Sequence, residues 1–271
     1  MSTPTDYLQK NKESWNQRTD FHLKSEFYGQ EAFMQGKNSL NEIELSLLGD
    51  ISGKSILHLQ CHFGQDSLSF ARMGAQVTGV DLSDHAIDTA LRLNEELKLQ
   101  ARFICCNIYD LPAHLEGTFD IVYASYGTIV WLPDLQKWAD IISRYLKPGG
   151  KFVFVEFHPT ALMFDDDFTS ITYRYFNSGP IFHTESGTYA DRSATMVKEN
   201  ITWNHSLGEV IGSLIQSKLR LNHFEEYDYS PYNCFKQTEK LGERKFRIKH
   251  LGDKIPMVYS VVAEKTGEKA L

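Results

Sequence analysis

Between residues 54 and 157 the chain alternates short apolar runs with amphipathic segments, and this alternation predicts a series of strands and helices. Residues 55–59, Ser-Ile-Leu-His-Leu, are short and apolar enough for a strand covered on both faces. A helix is expected over 66–73, with Asp66 near its N-terminus, where negative charge is favoured. A second buried strand spans 77–80, and Ser83 is placed to cap a helix over 84–97. Further strands are expected over 102–106 and 119–124. A helix over 134–146 stops at Lys147-Pro-Gly-Gly, the turn before a fifth strand over 151–157. This spacing gives an α/β fold with a mostly parallel, doubly wound sheet and helices on both faces. Upstream, 6–17 and 40–48 read as helices, the second from the spacing of Leu40, Ile43, Leu47 and Leu48. Downstream, 160–206 is rich in aromatics, Ser, Thr and Asp and has no clean period. Regular structure is expected again as a helix over 207–221 and strands over 223–229 and 257–265. The expected organisation is an N-terminal helical cap (1–50), a core (51–159), a substrate-side insertion (160–206), and a C-terminal helix and strand hairpin completing the core (207–271).

A chain of 271 residues suits one large α/β domain with an elaboration, or two small domains. Its 28 basic and 35 acidic residues give a net charge of −7, and no Lys/Arg-rich block stands out. That balance argues against a nucleic-acid partner. No apolar run approaches a membrane span, and the polar start lacks the apolar centre of a signal peptide. Adjacent Cys105 and Cys106 would point to opposite faces of a strand and cannot readily share a bridge. A reduced, cytoplasmic protein is the expectation.

The candidate chemistry lies in 54–83: buried strand, tight turn, short helix, second buried strand, then the lone carboxylate Asp81. Such an order builds a nucleoside pocket. The turn aims backbone N–H groups and a helix N-terminus at an anionic group, and the acid accepts from both ribose hydroxyls. Asp81 stands 21 positions beyond Gln60, near the ~20-residue spacing of one βαβ unit. Only Gly64 remains of the glycines such a turn usually holds, with Gln60 and His62 at positions where glycine would let a ligand approach closely. His58, Cys61 and His62 carry zinc-ligand chemistry, but no second ligand pair follows at zinc spacing, so no metal site is expected. Asp165, Asp166 and Asp167 read as a solvated loop. Trp15 reads as packing or as part of a lid, and Trp131 as packing or cleft lining. Glu156 and His158, two apart at the end of the fifth strand, share a face beside the ligand crevice. Either they orient or deprotonate an acceptor, or they hydrogen-bond the following loop.

These motifs together resemble the class I S-adenosylmethionine-dependent methyltransferase family. The resemblance rests on Ile-Leu-His-Leu-Gln-Cys-His-Phe-Gly at 56–64, Val-Asp-Leu-Ser at 80–83, Asn107-Ile108, Phe-Asp-Ile-Val at 119–122, and Leu-Lys-Pro-Gly-Gly at 146–150. It implies a Rossmann-like sheet of seven strands, the last antiparallel, with an N-terminal helical lid and an insertion after strand 5. It implies S-adenosylmethionine as cofactor, leaving as S-adenosylhomocysteine. Gln60, His62, Gly64, Asp81, Leu82, Asn107, Ile108 and Ser125 would hold the donor, with Asn107 in place of the usual Asp accepting from the adenine amino group. Trp15, Tyr126 and Trp131 would lie on the substrate side, and His158 or Glu156 would serve as base if one is needed. The implied reaction is in-line methyl transfer to an O, N, S or C nucleophile of a small molecule, with no nucleic-acid or membrane partner. Ser125-Tyr-Gly-Thr stands where base-methylating relatives have Asn/Asp-Pro-Pro-Tyr. Two other readings stay open: an NAD-dependent oxidoreductase, and a non-catalytic binding protein that retains the fold.

Overall fold

The structure, a computed structural model, describes residues 4–267. A long N-terminal helix, α1 (Pro4–Lys24), precedes two short ones, α2 (Gln30–Met34) and α3 (Glu42–Leu48). The alternating series follows as β1 (Ser55–Leu59), α4 (Gln65–Arg72), β2 (Gln76–Asp81), α5 (Asp84–Glu96), β3 (Arg102–Cys105), β4 (Phe119–Ser125), α6 (Leu135–Tyr145) and β5 (Leu146–Phe157). Next come β6 (Ile181–Ser186), β7 (Val197–Thr202), α7 (Leu207–Gln216), β8 (Leu219–Tyr227), β9 (Thr238–Gly242), β10 (Lys245–Ile248) and β11 (Val258–Lys265). Seven strands form one sheet in the order β3-β2-β1-β4-β5-β11-β8. Neighbours from β3 to β5 run parallel, and β11 lies antiparallel between β5 and β8.

Alternate residues of the central strands enter two cores, one on each face. Leu57, Leu59, Val122, Ala124, Phe152 and Phe154 pack with Trp138 of α6 and Leu214 of α7. Ile56, Ile121, Tyr123 and Val153 pack with Leu48, Leu68 and Leu93 of α3, α4 and α5. Both faces being covered explains why the strands read as short continuous apolar runs. Ser83 caps α5 as expected, its hydroxyl accepting from Ala86 N at 3.0 Å. Asp134 caps α6 by accepting from Lys137 N at 3.0 Å.

Several expectations need correction. Helix α1 extends to Lys24, well beyond residue 17, because its inner side is clamped to β7 and the turn after β1. Strand β5 begins earlier than expected, at Leu146 paired with Phe119, and Lys147-Pro-Gly-Gly forms its turn inside the strand, opposite Asp120 and with Gly149 at φ 77°. Helix α7 ends at Gln216, since Lys218 is left-handed (φ 61°) and turns the chain into β8. The insertion holds an antiparallel hairpin, β6–β7, and a second hairpin, β9–β10, interrupts the path to β11.

Candidate active site

The C-terminal ends of β1, β2 and β4 open into a cavity of about 1230 Å³, roofed by α1 and the β6–β7 hairpin. Gln60, His62, Gly64, Asp81, Leu82, Asn107, Ile108, Ser125, Trp15, Tyr126 and Trp131 all line it. Neither Glu156 nor His158 does.

The turn after β1 is left-handed at Gln60 (φ 55°), His62 (φ 52°) and Gly64 (φ 79°). It therefore keeps the backbone path that glycine favours, with two non-glycine residues held in strained positions. Their side chains are braced: Gln60 Nε2 donates to Thr128 O at 2.8 Å, and His62 Nε2 lies 3.0 Å from His22 Nδ1. Gly64 has no such freedom, since a Cβ there would lie 2.8 Å from the Phe103 ring and 3.1 Å from Ala90. Gly64→Ala is expected to destabilise the fold by roughly 2–4 kcal/mol, combining left-handed strain with overpacking. Urea unfolding checks this, and an unchanged midpoint would contradict it.

The expectation that the turn presents free amides to an anion is only partly met. Cys61 N donates to Val80 O, Gly64 N to Cys61 O, and His62 N to Asp81 Oδ2 at 2.7 Å. Asp81 Oδ1 accepts from Ser83 N at 2.9 Å. Burial raises the Asp81 carboxyl to about 6, against the pull of the Ser83, His62 and Leu82 amides. Asn107 starts a 3-10 turn (Ile108–Ala113), and its Oδ1 accepts from Tyr109 N at a long 3.3 Å. Leu82 and Ile108 come from the two turns that flank this side of the cavity.

Apart from Trp15, sequence reasoning missed the inner face of α1. Asn11, Trp15, Arg18 and His22 follow helical spacing, and Asn11, Arg18 and His22 are buried. The Arg18 guanidinium lies 5.1 Å from the Trp15 ring and 5.4 Å from the Trp131 ring, with Nη2 donating to Glu185 Oε2 at 2.6 Å. Burial, with Arg18 nearby, pushes His22 down to about 3, and burial, then His22 and Arg18, pushes His62 well below its usual range. The burial that lowers both rings favours their neutral forms, in which one ring nitrogen donates to the other. The trace left in the sequence is the recurrence of Asn11, Arg18 and His22 at helical spacing beside Trp15.

His158 hydrogen-bonds the following loop, while Glu156 holds chiefly the loop after β4. The buried Glu156 carboxylate accepts from Gly127 N, from Thr128 N at 2.7 Å, from Ile129 N at 3.3 Å and from Phe157 N at 2.7 Å. It thereby fixes the loop that carries Ser125, Tyr126 and Thr128. His158 Nε2 lies 2.8 Å from Glu226 Oε1, and its Nδ1 accepts from Thr160 N at 3.1 Å. Asp165 accepts from Thr169 and Ser170, and Asp166 pairs with Lys236 at 2.7 Å. His58 Nδ1 lies 2.8 Å from Ser67 Oγ within the core, where burial lowers the imidazole to about 3. The four cysteines are free. Among the described residues no three His, Cys, Asp or Glu side chains converge to hold a metal, and no helix is long and apolar enough to cross a membrane.

A methyltransferase-domain family profile matches residues 56–150, the stretch from β1 to the turn inside β5. A ubiquinone biosynthesis O-methyltransferase of Xanthomonas oryzae pv. oryzae is 31% identical over 130 residues, 47% of this chain and 54% of that protein. A Synechocystis methyltransferase is 34% identical over 124 residues, covering 45% and 56%. The chain thus spans about half the length of the curated relatives it matches. An S-adenosylmethionine-dependent methyltransferase of Mesorhizobium loti superposes with TM-score 0.57 at 21% identity, covering 85% of this chain and 99% of that one. Geranyl diphosphate C-methyltransferase of Streptomyces coelicolor, solved with S-adenosylhomocysteine, gives TM-score 0.54 at 17% identity, covering 83% and 74%. Residues 56–150 thus match a methyltransferase domain in sequence, and the seven-stranded sheet shares the fold of solved S-adenosylmethionine-dependent methyltransferases. The Mesorhizobium loti protein is named as dependent on S-adenosylmethionine, and the Streptomyces coelicolor enzyme was solved with the demethylated product.

Proposed function

We propose that the protein transfers a methyl group from S-adenosylmethionine to a small-molecule acceptor held in the same cavity. The observation that carries this reading is the convergence of Asp81, Asn107 and the Gln60–His62–Gly64 turn on one cavity that continues beneath α1 and the insertion. The residues present fit the donor. Asp81 offers a carboxylate at the end of β2 for the ribose hydroxyls, and Leu82 and Ile108 offer apolar faces for the adenine. Asn107 Oδ1, only weakly engaged by Tyr109 N, accepts from the adenine amino group. Gln60 Oε1 and His62 Nδ1 are buried without a protein partner, and face the donor's amino-acid end beside Ser125. The same features disfavour NAD. His62 N and Gly64 N, which would serve a pyrophosphate, are engaged within the turn.

The bound donor supplies a methyl group on a positively charged sulfur that leaves as a neutral thioether. The chain's own contribution is alignment and exclusion of water. Trp15, Trp131 and Arg18 form a wall over the site, and Glu156 holds the β4 loop beneath it. Of the expected cap (1–50), residues 4–50 cover the site, 160–206 act as the acceptor-side closure, and 207–267 complete the core; residues 1–3 and 268–271 lie outside the described residues. The relatives' names include an O- and a C-methyltransferase, so the fold accommodates different nucleophiles.

Incubation with methyl-tritiated S-adenosylmethionine and pools of small phenols, thiols and amines tests the assignment. Label is expected in the small-molecule fraction. Label recovered instead in added RNA, DNA or protein would overturn the acceptor class.

A further inference from the structure

At the end of the cavity away from Asp81, acidic and phenolic side chains cluster that the donor does not use. Glu44 of α3 is fully buried. The amide of Asn41 donates both to Glu44 Oε1 and to the Tyr232 hydroxyl, each at 2.9 Å, which sets the carboxylate just behind a cavity-lining phenol. Among the described residues Glu44 Oε2 makes no well-formed hydrogen bond, although the Tyr126 hydroxyl lies beside it, and the hydroxyls of Tyr123 and Tyr126 have no other well-formed partner. Asp66, at the start of α4, lines the cavity and accepts from Ser39 Oγ at 2.6 Å.

Among the described residues neither acid forms an ion pair. Arg244 is the cation nearby, but its Nη1 is engaged with Ser39 O, Leu40 O and Asn41 Oδ1, each at 2.9 Å. Lys245 pairs with Glu42 and Arg18 with Glu185. Burial, then the neighbouring Asp66, raises Glu44 to about 7, and burial raises Asp66 against the pull of the Ser39 hydroxyl and of Arg244. The walls are aromatic: Phe27 stacks on Tyr232 at 5.4 Å, Tyr126 meets Tyr232 edge-on at 5.0 Å, and the Tyr28 and Tyr189 hydroxyls lie 2.6 Å apart.

We propose that this cluster is a cation pocket and that the methyl acceptor carries an amino group, bound there as its ammonium. The proposal rests on the methyl-transfer reading and adds the class of acceptor. A buried carboxylate oxygen without a well-formed donor calls for a ligand that brings one, and a protonated amine brings up to three N–H groups together with the missing charge. The surrounding ring faces attract the same cation. A phenol would bring one O–H and add no positive charge to the single one that Arg244 supplies to two acids. An anion would meet two carboxylates of its own sign.

Calorimetry on the full chain, saturated with S-adenosylhomocysteine, tests this with benzylamine, benzyl alcohol and benzoate as probes of one shape and three charges. Benzylamine is expected to bind about tenfold or more tighter than benzyl alcohol, with benzoate weakest. Glu44→Gln is expected to weaken benzylamine by about tenfold while S-adenosylhomocysteine affinity stays within about twofold. Tyr232→Phe, a milder change if the first variant folds poorly, should weaken it by about threefold. Alcohol or benzoate binding as tightly as the amine, or variants without effect on it, would overturn the proposal. Failure of S-adenosylhomocysteine to bind counts instead against the donor reading, since the three probes can be compared without it.

Discussion

Asp81→Ala is expected to remove donor binding from the measurable range. A hydrogen bond to a charged acceptor contributes about 1.5–3 kcal/mol, so two ribose hydroxyls on one carboxylate amount to roughly a hundred- to ten-thousand-fold in affinity. The loss is compounded because Asp81 also accepts from His62 N and Ser83 N and so holds the turn against β2. Asp81→Asn separates the two effects, since it keeps one oxygen acceptor and the side-chain shape. It is expected to bind S-adenosylhomocysteine more weakly than the native protein but more tightly than the alanine variant. Because burial raises this carboxyl to about 6, donor affinity should be flat above pH 7 and fall as the pH drops through 6. Stability of the unliganded fold follows the opposite sign. An acid raised in the folded state stabilises it when protonated, below about pH 4, and that contribution is lost as the pH rises through about 6. Equal donor affinity at pH 5.5 and 7.5 would contradict the assigned role.

Glu156→Gln is expected to be the most destabilising conservative change in the site. The carboxylate accepts from four backbone N–H groups and from the Thr128 hydroxyl, and an amide turns one acceptor oxygen into a donor facing donors. Stranding buried donors in this way costs about 3–5 kcal/mol, which lowers Tm by roughly 6–20 °C in a chain of this size. Differential scanning fluorimetry checks the shift. A catalytic base would behave otherwise: the variant would melt with the native protein and lose only turnover. The loop from Ser125 to Thr128 should loosen with it, so S-adenosylhomocysteine affinity is expected to fall as well.

The legible parts of this fold are those where local chemistry and burial agree. Strand β1 falls where Ser-Ile-Leu-His-Leu predicts it, and Ser83 caps α5 because a short hydroxyl there meets the free Ala86 amide. Strand β7 was illegible because its pattern is inverted. Lys198 and Asn200 are buried against α1, Asn200 meeting Ser14, while Val197 and Phe182 of the hairpin face outward. The same interface hid Arg18 and His22, polar residues whose partners lie in Glu185 and His62, far along the chain. Gln60 and His62 read as damage to a glycine turn. The backbone instead keeps the left-handed path, and tertiary contacts with Thr128 and His22 offset the strain. The acid cluster was equally hidden. Glu44 sits on an ordinary amphipathic helix, and only the approach of Tyr126, Tyr232 and Arg244 gives it an environment.

The central claim is that the cavity beneath α1 is a donor site. Isothermal titration of the purified full chain with S-adenosylhomocysteine at pH 7.5, with NAD as the comparison ligand, tests it most directly. One-to-one micromolar binding of S-adenosylhomocysteine, without heat from NAD, is the expected result. Binding of NAD in its place, or no binding of either sulfur nucleoside by a folded protein, would contradict the account.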